Sequence, residues 1–148
     1  MKVSSTIARN IKTRKTNSNK MLSMLNIAKT YISHNGGCVI DGVGVAYYNP
    51  ITGTRDPIGC LVKVSDLKGL YGTIESDAQK PLVRKIASKF NMNLSRDCDR
   101  SNFVKFLQAL QNAHDEIFDF FNNSVPKSNH ISLFNKKCDQ ISFEYGLV

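Results

Sequence analysis

The sequence predicts an α+β fold: three to four helices packed on a small antiparallel β-meander in a single domain. Three observations carry this. Apolar residues recur with helical period on both sides of the middle of the chain. The middle itself, from His34 to Val64, concentrates Gly, Cys and turn residues among short β-prone runs. Finally, 148 residues with 41% hydrophobic and 22% charged side chains make one domain's worth of ordinary globular composition.

The elements follow in order. Met21, Met24, Leu25, Ala28, Tyr31 and Ile32 share one helical stripe, with Asn17 and Ser18 as cap candidates and Asn35-Gly36-Gly37 as a stop, which predicts a helix over about 20–34. Cys38–Ile40 and Val43–Tyr48 read as strands joined at Asp41-Gly42. A second turn spans Asn49–Thr54, and Ile58–Val64 reads as the third strand. Gln79–Phe90 carries Leu82, Val83, Ile86, Ala87 and Phe90 on one face, with Pro81 tolerable in the first turn. Ser101 reads as the cap of the longest helix, whose stripe runs through Phe103, Phe106, Leu107, Leu110, His114, Ile117, Phe118 and Phe121 to Asn122-Asn123. Val125-Pro126 ends it, and Phe134, Cys138, Ile141 and Tyr145 mark a terminal helix.

Charge divides the chain differently. Residues 1–20 carry Lys2, Arg9, Lys12, Arg14, Lys15 and Lys20 without an acid, leaving 14 basic against 12 acidic side chains for the remainder and a net charge of +8 overall. The expectation is a flexible basic arm over 1–19 and one α+β domain over 20–148. Lys12, Arg14 and Lys15 are candidate phosphate contacts, because clustered cations gain affinity for polyanions by releasing counterions. No run approaches the roughly 18 apolar residues of a membrane span, and no secretory apolar core is present, so a cytosolic protein without a membrane partner is expected.

The cysteines and histidines offer two chemistries to weigh. His34, Cys38, Cys60 and His114 form the one conceivable zinc quartet, but Cys38 and Cys60 also suit small buried positions and His34 a helix C-terminus, so no metal and no cofactor is expected. A Cys60 nucleophile with His114 as base would need an orienting acid. Asp115 is adjacent on the helix, where neighbours point about 100° apart, so it is expected not to serve. His114 reads as a buried histidine hydrogen-bonded to backbone. The glycines at 36–37 and 42–44 read as turn residues, since no strand-loop-helix phosphate motif surrounds them. Of Tyr47 and Tyr48, on opposite strand faces, one is expected to be exposed beside Arg55 and able to stack on a base or anchor a partner.

Gly37-Cys38 leaving a helix, an aromatic at Tyr47 or Tyr48 before a turn, Ile58-Gly59-Cys60-Leu61-Val62, the helix Leu107–Asp115 and the ending Glu144-Tyr145-Gly146-Leu147 together give a pattern over about residues 20–147. It resembles a family of small, mostly uncharacterised bacteriophage and prophage proteins. The family usually has Cys where this chain has Asp56, and Pro with acids where it has Lys63-Val64-Ser65-Asp66. The resemblance implies a phage accessory protein of the host bacterial cytoplasm and no catalytic signature. The function expected is non-enzymatic binding to a host protein, such as a defence component, through the meander. The alternative is nucleic-acid or nucleotide binding through Lys12, Arg14, Lys15, Tyr47, Tyr48 and Arg55, and a Cys- or zinc-dependent hydrolase ranks last.

Overall fold

The computed structural model describes residues 2–119 and 127–147, with side chains over 5–119 and 129–147. Four helices carry the fold: α1 (Lys2–Asn35), α2 (Lys80–Lys89), α3 (Asp97–Phe118) and α4 (Lys127–Glu144). A two-stranded antiparallel ribbon, β1 (Val39–Ile40) and β2 (Gly44–Val45), pairs Val39 with Val45 and Ile40 with Gly44. The α+β reading therefore holds in its coarse form, with helix predominating.

Helix α1 begins at Lys2 rather than near residue 20. No Gly or Pro interrupts residues 1–35, and the packed half, with Met21, Met24, Leu25, Ala28 and Ile32 all buried, supplies the costly helical nucleus onto which the polar half propagates. Asn17 is not a cap. Its side chain lies on the flank of α1, where Nδ2 donates to the Asn93 carbonyl at 2.8 Å and Oδ1 accepts from the Asn93 N–H at 3.0 Å. The predicted stop is correct: Gly36 takes φ +74° and its N–H returns to the Ile32 carbonyl at 2.8 Å.

The predicted third strand is replaced. Thr54–Asp56, not Ile58–Val64, runs back along 47–49, with Asn49 N–H on Thr54 O at 2.9 Å, Asp56 N–H on Tyr47 O at 3.1 Å and an antiparallel bridge between Tyr48 and Arg55. Ile58–Val64 instead contains the 3-10 turn Gly59–Leu61 and leads into a second one, Val64–Asp66. The cause is Asp56-Pro57. Proline cannot extend a ladder, and the Asp56 carboxylate accepts the N–H groups of Ile58 and Gly59 at 3.0 and 2.6 Å, closing a turn where a strand would need those donors elsewhere.

Helix α2 matches its prediction within a residue, with Pro81 in the first turn. Helix α3 starts four residues before Ser101, because Asp97 and Asp99 place carboxylates at the positive end of the helix dipole and Arg96 grips Asp99 at 2.7 and 3.1 Å. Phe121, Asn122, Asn123, Val125 and Pro126 lie outside the described residues. Helix α4 packs on both α1 and α3, burying Phe134, Cys138 and Ile141, while Lys29–Asp139 (2.9 Å) and Lys137–Glu116 (2.7 Å) tie its outer face to the same two helices. The core joins Met24 and Ile32 of α1, Tyr47 and Ile58 of the turn region, Ile86 of α2, Phe103, Phe106 and Leu110 of α3, and Phe134 of α4.

Candidate functional site

Two arrangements bring chemistry-bearing side chains together. The first is internal. Asp56, His114 and Asp115 hold ligand-type atoms within 4.8 Å of one another, with Asp56 and His114 buried. The Asp56 turn fixes the carboxylate, and Gly59 permits it: a Cβ there would stand 2.2 Å from the Tyr47 carbonyl oxygen. On α3, His114 Nε2 accepts the Cys38 N–H at 2.9 Å, so the ring proton sits on Nδ1, which lies 2.8 Å from Asp115 Oδ1. Asp115 does orient His114. The Cβ vectors of adjacent residues diverge, but the Asp115 carboxylate reaches back to Nδ1 at 2.8 Å, which corrects the expectation drawn from helix angles alone.

This node is electrostatically tense. Burial pushes the Asp56 carboxyl up to about 7, against the opposing influence of His114 and the Gly59 N–H. A cavity of about 210 Å³ adjoins it, lined among others by Tyr47, Asp56, Thr73, Gln111 and Asp115. A metal ion could draw on Asp56, His114 and Asp115, but both His114 nitrogens are already engaged, so coordination would break either the Cys38 or the Asp115 contact. The four residues weighed for zinc are dispersed among other partners: His34 Nδ1 on the Thr30 carbonyl at 2.8 Å, Cys38 Sγ donating to Thr54 O at 3.3 Å and Cys60 Sγ to Pro57 O at 3.2 Å. Burial pushes the Cys38 thiol up to about 11 and the Cys60 thiol to about 12, which keeps both protonated and poorly nucleophilic at neutral pH.

Sequence reasoning missed the polar ring around this node. Gln111 Oε1 accepts the Ile74 N–H at 2.9 Å, Gln108 Oε1 accepts the Glu75 N–H at 3.1 Å, and Tyr47 Oη donates to the Gly72 carbonyl at 2.7 Å. Two glutamines on α3 thus hold the strandless segment 72–75 as a neighbouring strand would. The available signal was their spacing: Gln108 and Gln111 sit three apart, beside Leu107, Leu110 and His114 on the apolar stripe.

The second arrangement is the outer half of α1. From Ser5 to Thr16 no residue is buried, and Arg9, Lys12, Arg14 and Lys15 are all exposed. Arg9, Lys12 and Lys15 recur every three residues and form one ridge, with Ile7, Ile11 and Arg14 on another side. None of these four cations makes a side-chain hydrogen bond or ion pair among the described residues, whereas Lys20 donates to the Asn91 carbonyl. Tyr47, Tyr48 and Arg55 lie elsewhere. Tyr47 is buried and Tyr48 half-buried. Arg55 is tied down, its Nη1 donating to Val62 O at 3.1 Å and its backbone N–H to Tyr31 Oη at 2.9 Å. Since Tyr31 shares α1 with the ridge, the two sets are separated by roughly 24–33 Å of helix at about 1.5 Å per residue, and do not form one compact surface. No family model matches the chain, and no curated protein or solved structure matches it either.

Proposed function

We propose that this is a non-enzymatic binding protein whose exposed basic helix engages a nucleic-acid backbone. The observation that carries the reading is the outer half of α1: four exposed cations, unpaired among the described residues, on a helical segment with no buried residue and no acid. Residues 5–16 span about 18 Å, a stretch over which duplex DNA presents about ten phosphate charges, and the major groove admits a single helix. The packed half of the same helix, clamped by the Asn17–Asn93 pair, provides a rigid base. By its resemblance to phage proteins the chain would act in an infected bacterial cytoplasm.

The test is neutralisation in the full chain. Arg9→Gln, Lys12→Gln, Arg14→Gln and Lys15→Gln together should leave the fold intact, weaken binding to duplex DNA or RNA by orders of magnitude, and reduce the magnitude of the salt slope by about 3–4. Unchanged affinity in the quadruple variant, or an absence of salt-dependent binding in the parent, would end the proposal.

A further inference from the structure

A second surface, unrelated to the α1 ridge, lies between α2 and α3. It is an open groove of about 530 Å³ with an apolar floor of Ile74, Val83, Ala87, Leu94 and Val104. Cations flank that floor from both walls, Lys80 and Arg84 from α2 and Arg100 and Lys105 from α3, against the single acid Glu75. Two of them are already committed: Lys80 pairs with Asp77 at 3.1 Å, and Arg100 donates to the Leu94 and Ser95 carbonyls at 2.7 and 3.1 Å while pairing with Asp97. Arg84 and Lys105 have no side-chain partner among the described residues, and they stand on opposite walls.

That distribution selects an occupant. The floor asks for apolar side chains, and an apolar surface between two helices is the shape into which a third helix packs. The walls ask for negative charge on both flanks of the apolar stripe. A single-headed amphiphile such as a fatty carboxylate would satisfy one wall and leave the other unmatched. The exposed half of α1 from a second copy is excluded by its own charge, since it carries Arg9, Lys12, Arg14 and Lys15 and no acid. We infer that the α2–α3 groove is a docking site for an acidic amphipathic helix of a partner protein, with its apolar face on Val83, Ala87 and Val104 and its carboxylates toward Arg84 and Lys105. The α2 wall from Lys80 to Ala87 is about 10 Å long, which accommodates anchors spaced i, i+4 and i+7.

The probe is a synthetic amphipathic helical peptide with Leu at those anchor positions and Glu on both flanks, titrated into the full chain by fluorescence anisotropy and mapped by amide shifts. The expected result is saturable one-to-one binding, with shifts over residues 80–87 and 100–105. The Arg84→Glu, Lys105→Glu double variant should weaken it at least tenfold. So should Ala87→Trp, which fills the floor. Unchanged melting temperatures will separate lost docking from unfolding, and Lys105→Glu alone is the milder variant should the double one melt early. The Arg9, Lys12, Arg14, Lys15 glutamine variant should bind the peptide as the parent does, so the groove and the nucleic-acid reading fail separately. The inference is overturned if the peptide does not saturate, if a scrambled peptide of equal charge binds as well, or if the shifts fall on α1. It is equally overturned if decanoate or a second copy of the chain occupies the groove and the peptide does not.

Discussion

The imidazole of His114 accepts the backbone N–H of Cys38 at 2.9 Å, joining the C-terminal part of α3 to the residue at which the chain leaves the Gly36-Gly37 stop. This bond satisfies a buried donor and places β1 against the helix. Gly37 makes the approach possible, since a Cβ there would meet the Phe118 ring at 2.3 Å. Replacing His114 by Leu keeps the volume but orphans the Cys38 N–H, at an expected cost of about 1–3 kcal/mol in the urea midpoint. Asp115→Asn, which retains an acceptor for Nδ1, should cost less. Equal effects from the two variants would show that the Cys38 bond does not carry the stability.

Asp56 makes the fold's stability pH-dependent. Its ordinary value is 3.8 and burial raises it to about 7, so the folded protein holds this proton more tightly than the unfolded chain does. Its contribution is complete below about pH 4, declines as the pH rises toward 7, and is flat above. Asp56→Asn keeps the turn acceptor and removes the charge. The stability difference between variant and parent should therefore shift in favour of the variant between pH 4 and pH 8, by roughly 4 kcal/mol at most. Parallel stability curves across that range would contradict it.

Gly59 and Gly53 separate two reasons for glycine. Gly59→Ala drives a Cβ against the Tyr47 carbonyl, 2.2 Å away, and should cost at least about 2–3 kcal/mol by denaturant melting. Gly53 has open space around it and φ +76°, so Gly53→Ala should cost only about 1–2 kcal/mol of backbone strain. The reverse order would mean that the Asp56 turn can move away from the hairpin.

Phe106 and Leu110 lie fully buried on α3, so Phe106→Ala and Leu110→Ala should each cost about 2–5 kcal/mol through the cavities they leave. A near-normal midpoint for either would place the apolar stripe on the wrong face. Phe143, by contrast, is 84% exposed, and its replacement by Ser should be nearly neutral.

Local pattern was enough for the helices that bury one face. The stripes through Leu82–Ile86, Phe103–Ile117 and Phe134–Ile141 are periodic, and burial rewards that period directly, so α2, α3 and α4 were legible along with the Gly36 stop and the hairpin at Asp41-Gly42. The same pattern reading misplaced whatever depends on which hydrogen-bond partner a particular polar side chain takes, whether that partner is near or far in the chain. Asn17 has the chemistry of a cap, and only Asn93, 76 residues away, makes it a mid-helix clamp within an α1 that begins at Lys2. Ile58–Val64 has strand composition, but the Asp56 carboxylate claims the N–H groups of Ile58 and Gly59. Asp115 reaches His114 because the Cys38 N–H has already fixed the ring. Sequence by itself determined which faces are apolar and where the positive charge is concentrated. The tertiary structure decided which polar groups find partners, because a hydrogen bond goes to whichever group the folded geometry brings within about 3 Å, be it Asp115 next to His114 or Asn93, 76 residues from Asn17.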